Sequence, residues 1–279
     1  MKMKRILAVL LVCTLLLSST AFAMQFSDLQ ESDAFYDEVQ TLAAFGIVSG
    51  DAAGTLRPYA PLSRAEFAKL AVGLLDKIDE AKAKTGASRF SDVASTHWAL
   101  PYVNFVAEQG IIVGYPDGTF APDAEITYAQ AITVVLRVLG YEESVLGGIW
   151  PNNYIHKAAA LELTEGMQVS ADASISRADA FVLLARALDT EMYGAKTKPA
   201  DAFGFSFVEN AVVLSTYETD ASLAVGEVKT SVGTFKCPDM ALVAGRLGCK
   251  VKFYLNEEQE IVTVQAYDDY PLPLVIKKH

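Results

Sequence analysis

The sequence predicts a mainly α-helical repeat region followed by a small β-rich domain. Three observations lead there. The chain matches itself when residues 26–75 are laid on 90–139 without a gap. Within each copy, apolar residues recur at the i, i+3, i+4, i+7 spacing of one buried helix face. Beyond residue 203 the apolar period shifts towards two, the mark of short strands.

The elements follow in chain order. Lys2, Lys4 and Arg5 precede an apolar run from Ile6 to Leu17 and then Ala21-Phe22-Ala23. A basic start, a short apolar core and small residues at −3 and −1 predict a secretory signal peptide over 1–23, cut before Met24. Cys13 stands behind Val12 rather than behind a small residue, so a lipoprotein is not expected. Losing the three cations takes the formal charge from −11 to −14. That argues against nucleic acid or an anionic membrane surface as partner, because both require a positive footprint.

The first repeat, 24–85, and the second, 86–145, share their landmarks. Phe26-Ser27-Asp28 meets Phe90-Ser91-Asp92, Gly46-Ile47 meets Gly110-Ile111, Gly54-Thr55 meets Gly118-Thr119, and Pro58 meets Pro122. A third, worn copy occupies 146–190, where Trp150 to Gly166 matches Trp98 to Gly114 but the Asp-Gly-Thr turn and the Phe-Ser-Asp opening are missing. Each copy predicts a first helix (Val39, Leu42, Ala43; Val103, Val106, Ala107; Ile155, Ala158, Ala159) and a second (Phe67 to Leu75; Ala131 to Leu139; Ala180 to Leu188). One helical hairpin cannot bury such stripes alone, so the copies are expected to pack together. Residues 191–203, with Gly194, Lys196, Lys198 and Pro199, read as a linker. The β-rich domain, 204–270, offers strands at 205–208, 211–214, 228–232, 250–254 and 261–264, with a short helix within 240–247. The Pro271-Leu272-Pro273 tail, 271–279, is expected to be irregular. Cys237 and Cys249 fit either a disulfide or two half-buried thiols, and spacing does not choose between them.

Every second helix opens on a capping-box pattern: Ser63-Arg64-Ala65-Glu66, Thr127-Tyr128-Ala129-Gln130 and Ser176-Arg177-Ala178-Asp179. The hydroxyl accepts from an orphan backbone N–H and the fourth residue reaches back. The cap leaves Arg64 and Arg177 unexplained, because a cation in the first turn opposes the helix dipole. A surface ion pair with a neighbouring acid is one explanation. Tyr128 shows that the helix can start without an arginine.

Phe-Ser-Asp-Val, a Trp before the first helix, the loop Gly110 to Pro122 and the Ser-Arg-Ala-Glu helix start together resemble the S-layer homology family, over roughly residues 26–190. The resemblance implies three repeats, the second and third divergent, in a pseudo-threefold unit whose second helices form a central bundle. It also implies grooves that bind a secondary cell-wall polysaccharide, typically one ending in a pyruvylated sugar. Arg64 and Arg177 would then clamp the ketal carboxylate with two parallel hydrogen bonds, beside a helix N-terminus that favours anions. Trp98 and Trp150 would stack on a sugar face or plug the gap between repeats. Asp28 and Asp92 fit turn or cap hydrogen bonding ahead of sugar contact, and Glu66 fits the cap first; all three are counted among the binding residues. The Tyr128 groove is expected to be lost or altered, and the Arg64 site to be the best preserved.

No motif recommends catalysis: there is no Gly-x-Ser-x-Gly elbow and no His-Glu-x-x-His, and His97, His156 and His279 are scattered. No cofactor and no metal is expected; the Asp117-Gly118 loop lacks the oxygen ligands calcium needs. The reading is an exported, non-enzymatic protein held noncovalently at the cell wall by an acidic polysaccharide. The alternative is a surface module whose repeats have largely lost sugar binding and contact other surface proteins.

Overall fold

The computed structural model describes residues 26–267; the expected signal peptide and the 271–279 tail lie outside the described residues. The first copy folds as α1 (Tyr36–Ala44) and α2 (Arg64–Leu74), followed by the short α3 (Ile78–Lys82). The second folds as α4 (Leu100–Glu108) and α5 (Tyr128–Val138), followed by α6 (Glu143–Leu146). Residues 146–190 carry α7 (Asn152–Ala160) and α8 (Arg177–Leu188). Helices α1 and α4 stop where Gly46 and Gly110 both take φ of 70°, the left-handed position that ends a helix without steric cost. In the second loop Gly114 is required by space. A Cβ there would lie 2.3 Å from the Phe90 ring and 2.8 Å from the Thr119 carbonyl oxygen.

The expected mainly α fold with a pseudo-threefold bundle of second helices is not what forms. Of the described residues 33 % are helical and 16 % are in strands or bridges. Helix α5 packs on both α2 and α8, but α2 and α8 make no comparable contact. The principal partner of each second helix is a first helix: α4 lies on α2, α7 on α5, and α1 on α8. The reason lies in the width of the apolar surface. Helix α2 buries Ala65, Phe67, Ala68, Leu70, Ala71, Val72, Gly73 and Leu74, which wrap most of its circumference rather than one stripe. An inward-facing bundle would leave half of that surface wet, and the first helices cover it.

The C-terminal part is a five-stranded antiparallel sheet, β1 (Ser206–Thr216), β2 (Glu227–Thr230), β3 (Gly233–Lys236), β4 (Lys250–Leu255) and β5 (Ile261–Ala266), in the order β3-β2-β1-β4-β5. The two strands expected at 205–208 and 211–214 are one strand with a bulge between Val208 and Ala211, where Asn210 takes φ of 59°. Its first half pairs with β4 and its second half with β2. A parallel bridge from Lys236 to Glu260 brings β3 to the start of β5, so the sheet curls into a partly open barrel. Val213, Val228, Val251, Phe253 and Val264 fill it. The helix expected within 240–247 is a single 3-10 turn, Met240–Val243.

Cys237 and Cys249 are free thiols. Burial in the barrel pushes the Cys237 thiol up to about 12. The outer side of β4 and β5 is not solvent-facing: Tyr254 and Val262 belong to the helical core, and β5 runs along α1. The segment expected as a linker is also tied down, with Tyr193 N donating to the Leu139 carbonyl at 2.7 Å and its ring 5.2 Å from that of Tyr141.

Candidate functional site

The three helix starts meet, and their caps form as the local sequence dictates. Ser63 Oγ accepts from Glu66 N at 3.1 Å while Ser63 N donates to Glu66 Oε2 at 2.8 Å. Thr127 and Gln130 repeat the box at 3.3 and 3.4 Å. Ser176 Oγ accepts from Asp179 N at 3.1 Å without a return bond, since the aspartate is one methylene shorter than glutamate. A cap of this kind contributes about 1 kcal/mol.

What sequence does not reveal is that each start is also bonded to the loop of another copy. Arg64 N and Ala65 N donate to the carbonyls of Ala124 and Pro122; Tyr128 N and Ala129 N donate to Ala173 and Ala171; Arg177 N and Ala178 N donate to Ala60 and Pro58, all at 2.8–3.1 Å. The links form a cycle: α2 to the second copy, α5 to the 146–190 segment, and α8 back to the first. Backbone N–H groups that a lone helix would leave open are satisfied in this way.

The second capping position follows the same cycle with its side chain. Arg64 is 5 % exposed. Its Nε donates to the Phe120 carbonyl at 2.8 Å and its Nη1 to Gln130 Oε1 at 3.1 Å. The Arg177 Nε donates to the Leu56 carbonyl at 2.6 Å, and its Nη1 pairs with Glu66 Oε1 at 3.0 Å. The Tyr128 hydroxyl donates to Asp179 Oδ2, and burial together with that bond pushes the phenol up to about 12. Each second-position side chain thus reaches the fourth capping residue of the next copy.

The Arg64 and Arg177 environments differ in charge. Arg177 faces a carboxylate. Arg64 faces an amide and a carbonyl, with the Tyr115 and Phe120 rings 4.7 and 5.1 Å from its guanidinium carbon. Burial lowers the Arg64 pKa, opposed by the Tyr115 and Asp92 charges. A buried guanidinium whose direct hydrogen-bond partners are neutral, with only the more distant Asp92 charge opposing its burial, keeps much of its positive charge unpaired.

The remaining expected residues have clear places. Asp28 accepts from Leu56 N and Arg57 N at 2.8 and 2.7 Å; Asp92 accepts from Phe120 N and Ala121 N at the same distances. Both carboxylates hold a non-glycine residue at positive φ, Arg57 at 53° and Ala121 at 55°. They therefore brace the loop strand whose carbonyls, Leu56 and Phe120, receive the arginines. Trp98 is 52 % exposed and lies over His97, and Trp150 is 46 % exposed with its Nε1 donating to Thr133 Oγ1 at 3.0 Å. Neither tryptophan makes a ring contact or hydrogen bond with Arg64 or Arg177 among the described residues: Trp98 meets His97 and Tyr102, and Trp150 meets Thr133. Tyr115, which the sequence reading passed over, does join the Arg64 site: its hydroxyl accepts from Gln130 Nε2 at 3.1 Å. Its place in the Gly110–Pro122 loop was the available signal. In the first copy, where Ala34 stands at the tryptophan position, Tyr59, 78 % exposed, lies edge-on to Phe35 at 6.2 Å.

Residues 25–68 and 89–132 match the S-layer homology domain. Residues 146–190 are not part of that match, so the third copy rests on the internal comparison and its helix pair. The chain is 36 % identical over 154 residues to the middle cell wall protein of Brevibacillus brevis, covering 55 % of this chain and 14 % of that one. It is 38 % identical over 129 residues to a surface layer protein of Brevibacillus choshinensis, covering 46 % and 12 %. It is 29 % identical over 193 residues to the cellulosome-anchoring protein of Acetivibrio thermocellus, covering 62 % and 43 %. The chain spans less than half the length of each. The matched segments contain α1, α4 and the first turns of α2 and α5, and with them the residues of the Arg64 site: Arg64, Tyr115, Phe120 and Gln130. Among the described residues no group of His, Cys, Asp and Glu could hold a metal ion, and no helix is long and apolar enough to cross a membrane.

Proposed function

We propose that this is an exported cell-surface protein, structural rather than enzymatic, that attaches noncovalently to the cell wall through an acidic secondary wall polysaccharide. The S-layer homology domains and the surface-protein relatives support the location and the anchoring role. The observation that carries the polysaccharide is Arg64: a buried cation hydrogen-bonded to an amide and a carbonyl rather than to a carboxylate, its Nη2 uncommitted among the described residues, beside an exposed tyrosine. A carboxylate such as that of a pyruvate ketal completes it. Trp98 lies in the same copy as Tyr115 and offers a stacking face. At Arg177 the cation is already neutralised by Glu66, and at Tyr128 there is no cation. Anion recognition therefore concentrates at one seam.

The test is co-sedimentation with purified wall polysaccharide before and after removal of its pyruvyl groups. Binding that is lost on de-pyruvylation, and lost in Arg64→Lys (charge kept, fork removed), is the expected result. Equal binding to both polymers sinks the anion reading. A second reading has support in the cyclic contacts, since Nε and Nη1 of both arginines are engaged by neighbouring copies. On that reading the repeats are an assembly module for other surface proteins, and no polysaccharide binds at all.

A further inference from the structure

We infer that the C-terminal sheet is a clasp on the α8–α1 seam, with Arg246 and Tyr254 as positioning residues for the Arg177 helix start. The three seams between copies are built alike at their helix starts but differ in how the chain supports them. Helices α2 and α4, and likewise α5 and α7, are separated only by a short helix and its loops, so the chain itself holds each pair near. Helices α8 and α1 are the two ends of the helical region. Their meeting closes the longest loop of the cycle, the one with the largest entropic cost.

The sheet lies on this seam, and it grips both helices. On α1, Asp37 accepts from Arg246 Nη1 at 3.0 Å and Nη2 at 2.5 Å, and from Ala266 N at 2.9 Å. Further along the same face Thr41 Oγ1 accepts from Gln265 Nε2 at 3.0 Å. At its end the Phe45 ring stands edge-on to Phe203, Phe205 and Tyr254 at 4.8, 4.8 and 5.0 Å. Just past the end of α8, Asp189 Oδ2 accepts from the Tyr254 hydroxyl at 2.5 Å, and Oδ1 lies 2.5 Å from Lys252 Nζ. Tyr254 is fully buried and touches both helices at once, its ring on α1 and its hydroxyl on the residue that ends α8. A bidentate arginine on one helix and a buried phenol shared by both is more than packing needs: it fixes the angle at which the seam closes.

At the opposite end of α8 the Arg177 start is assembled on the loop before α2 and on α2 itself, with Arg177 N on Ala60, Ala178 N on Pro58 and the guanidinium on Leu56 and Glu66. The clasp therefore sets the geometry of this start and not of the other two. Its bearing on ligand binding rests on the polysaccharide reading; its bearing on geometry does not.

The experiment is residue-resolved amide hydrogen exchange on the full chain for Tyr254→Phe and Arg246→Ala, with no ligand present. Exchange at Arg177 and Ala178 should accelerate about tenfold or more, while Arg64, Ala65, Tyr128 and Ala129 stay within about twofold of the parent. Equal acceleration at all three starts, or none at Arg177 and Ala178, overturns the inference. Tyr254→Phe keeps the ring and serves if Arg246→Ala does not fold. Because no sugar is involved, a failed polysaccharide assay leaves this result standing, and the converse holds.

Discussion

The Arg64 seam and the Arg177 seam are made of the same parts and differ chiefly in one group. Both have an arginine whose Nε is held by a loop carbonyl, a loop strand braced by an aspartate, and a capping residue opposite. At one the opposing residue is Gln130 and at the other Glu66. An amide leaves the guanidinium charged towards its surroundings; a carboxylate cancels it. The difference shows that an arginine in this position is a joint by construction; on the proposed polysaccharide reading it becomes a binding group only where its neighbour leaves the charge uncancelled.

The largest effect is expected where the two seams are most alike. Asp92→Ala and Asp28→Ala each strip two backbone N–H groups of their acceptor and free a residue held at positive φ, which should cost about 2–3 kcal/mol apiece. Urea unfolding of the two variants checks this, and unequal losses would mark one seam as the weaker. Next, Gln130→Glu converts the Arg64 seam to the Arg177 type. Affinity for a carboxylate-bearing polysaccharide should fall about tenfold, near 1.4 kcal/mol, with folding stability within about 1 kcal/mol of the parent; calorimetry on both quantities separates them.

Tyr128→Phe removes the hydroxyl bond to Asp179 and should cost about 1 kcal/mol while leaving polysaccharide binding unchanged. Its pH signature has a definite sign. The folded phenol is raised to about 12 from 10.0, so its contribution is complete below pH 10 and is lost as pH rises towards 12. The parent should lose stability across that window more steeply than Tyr128→Phe. The smallest effect belongs to the thiols: Cys249, half-buried, should alkylate in the native protein, whereas Cys237 should react only on unfolding.

How much of this was legible follows from the range of each interaction. The caps were readable because Ser63 and Glu66 lie three residues apart and settle the matter between themselves. The destination of Arg64 was not, because Phe120 and Gln130 are brought to it only by folding. For the same reason Asp28 and Asp92 looked like local turn formers; their partners are 28 and 29 positions away. The bundle expectation failed on α2, whose sequence shows one clean stripe while its small residues Ala68, Val72 and Gly73 bury a second face. In the sheet, β3 was missed because its four residues start at Gly233 and look like the end of a turn. Two short strands merged into β1 because a bulge at Asn210 imitates a break in the pattern.

Glu66 belongs to two structures at once. Its Oε2 completes the cap of its own helix, and its Oε1 receives an arginine 111 residues further along the chain. Gln130 holds the same double position through its Oε1 alone, whereas Asp179 receives Tyr128 without returning a bond to its own cap. In an open array of repeats the outermost unit has a free side and can fray alone. Here no helix start is outermost, since each is held by a neighbour and holds another. Each start removed takes a partner from the next, so a truncation that deletes 146–190 should loosen the ends of the first two copies as well.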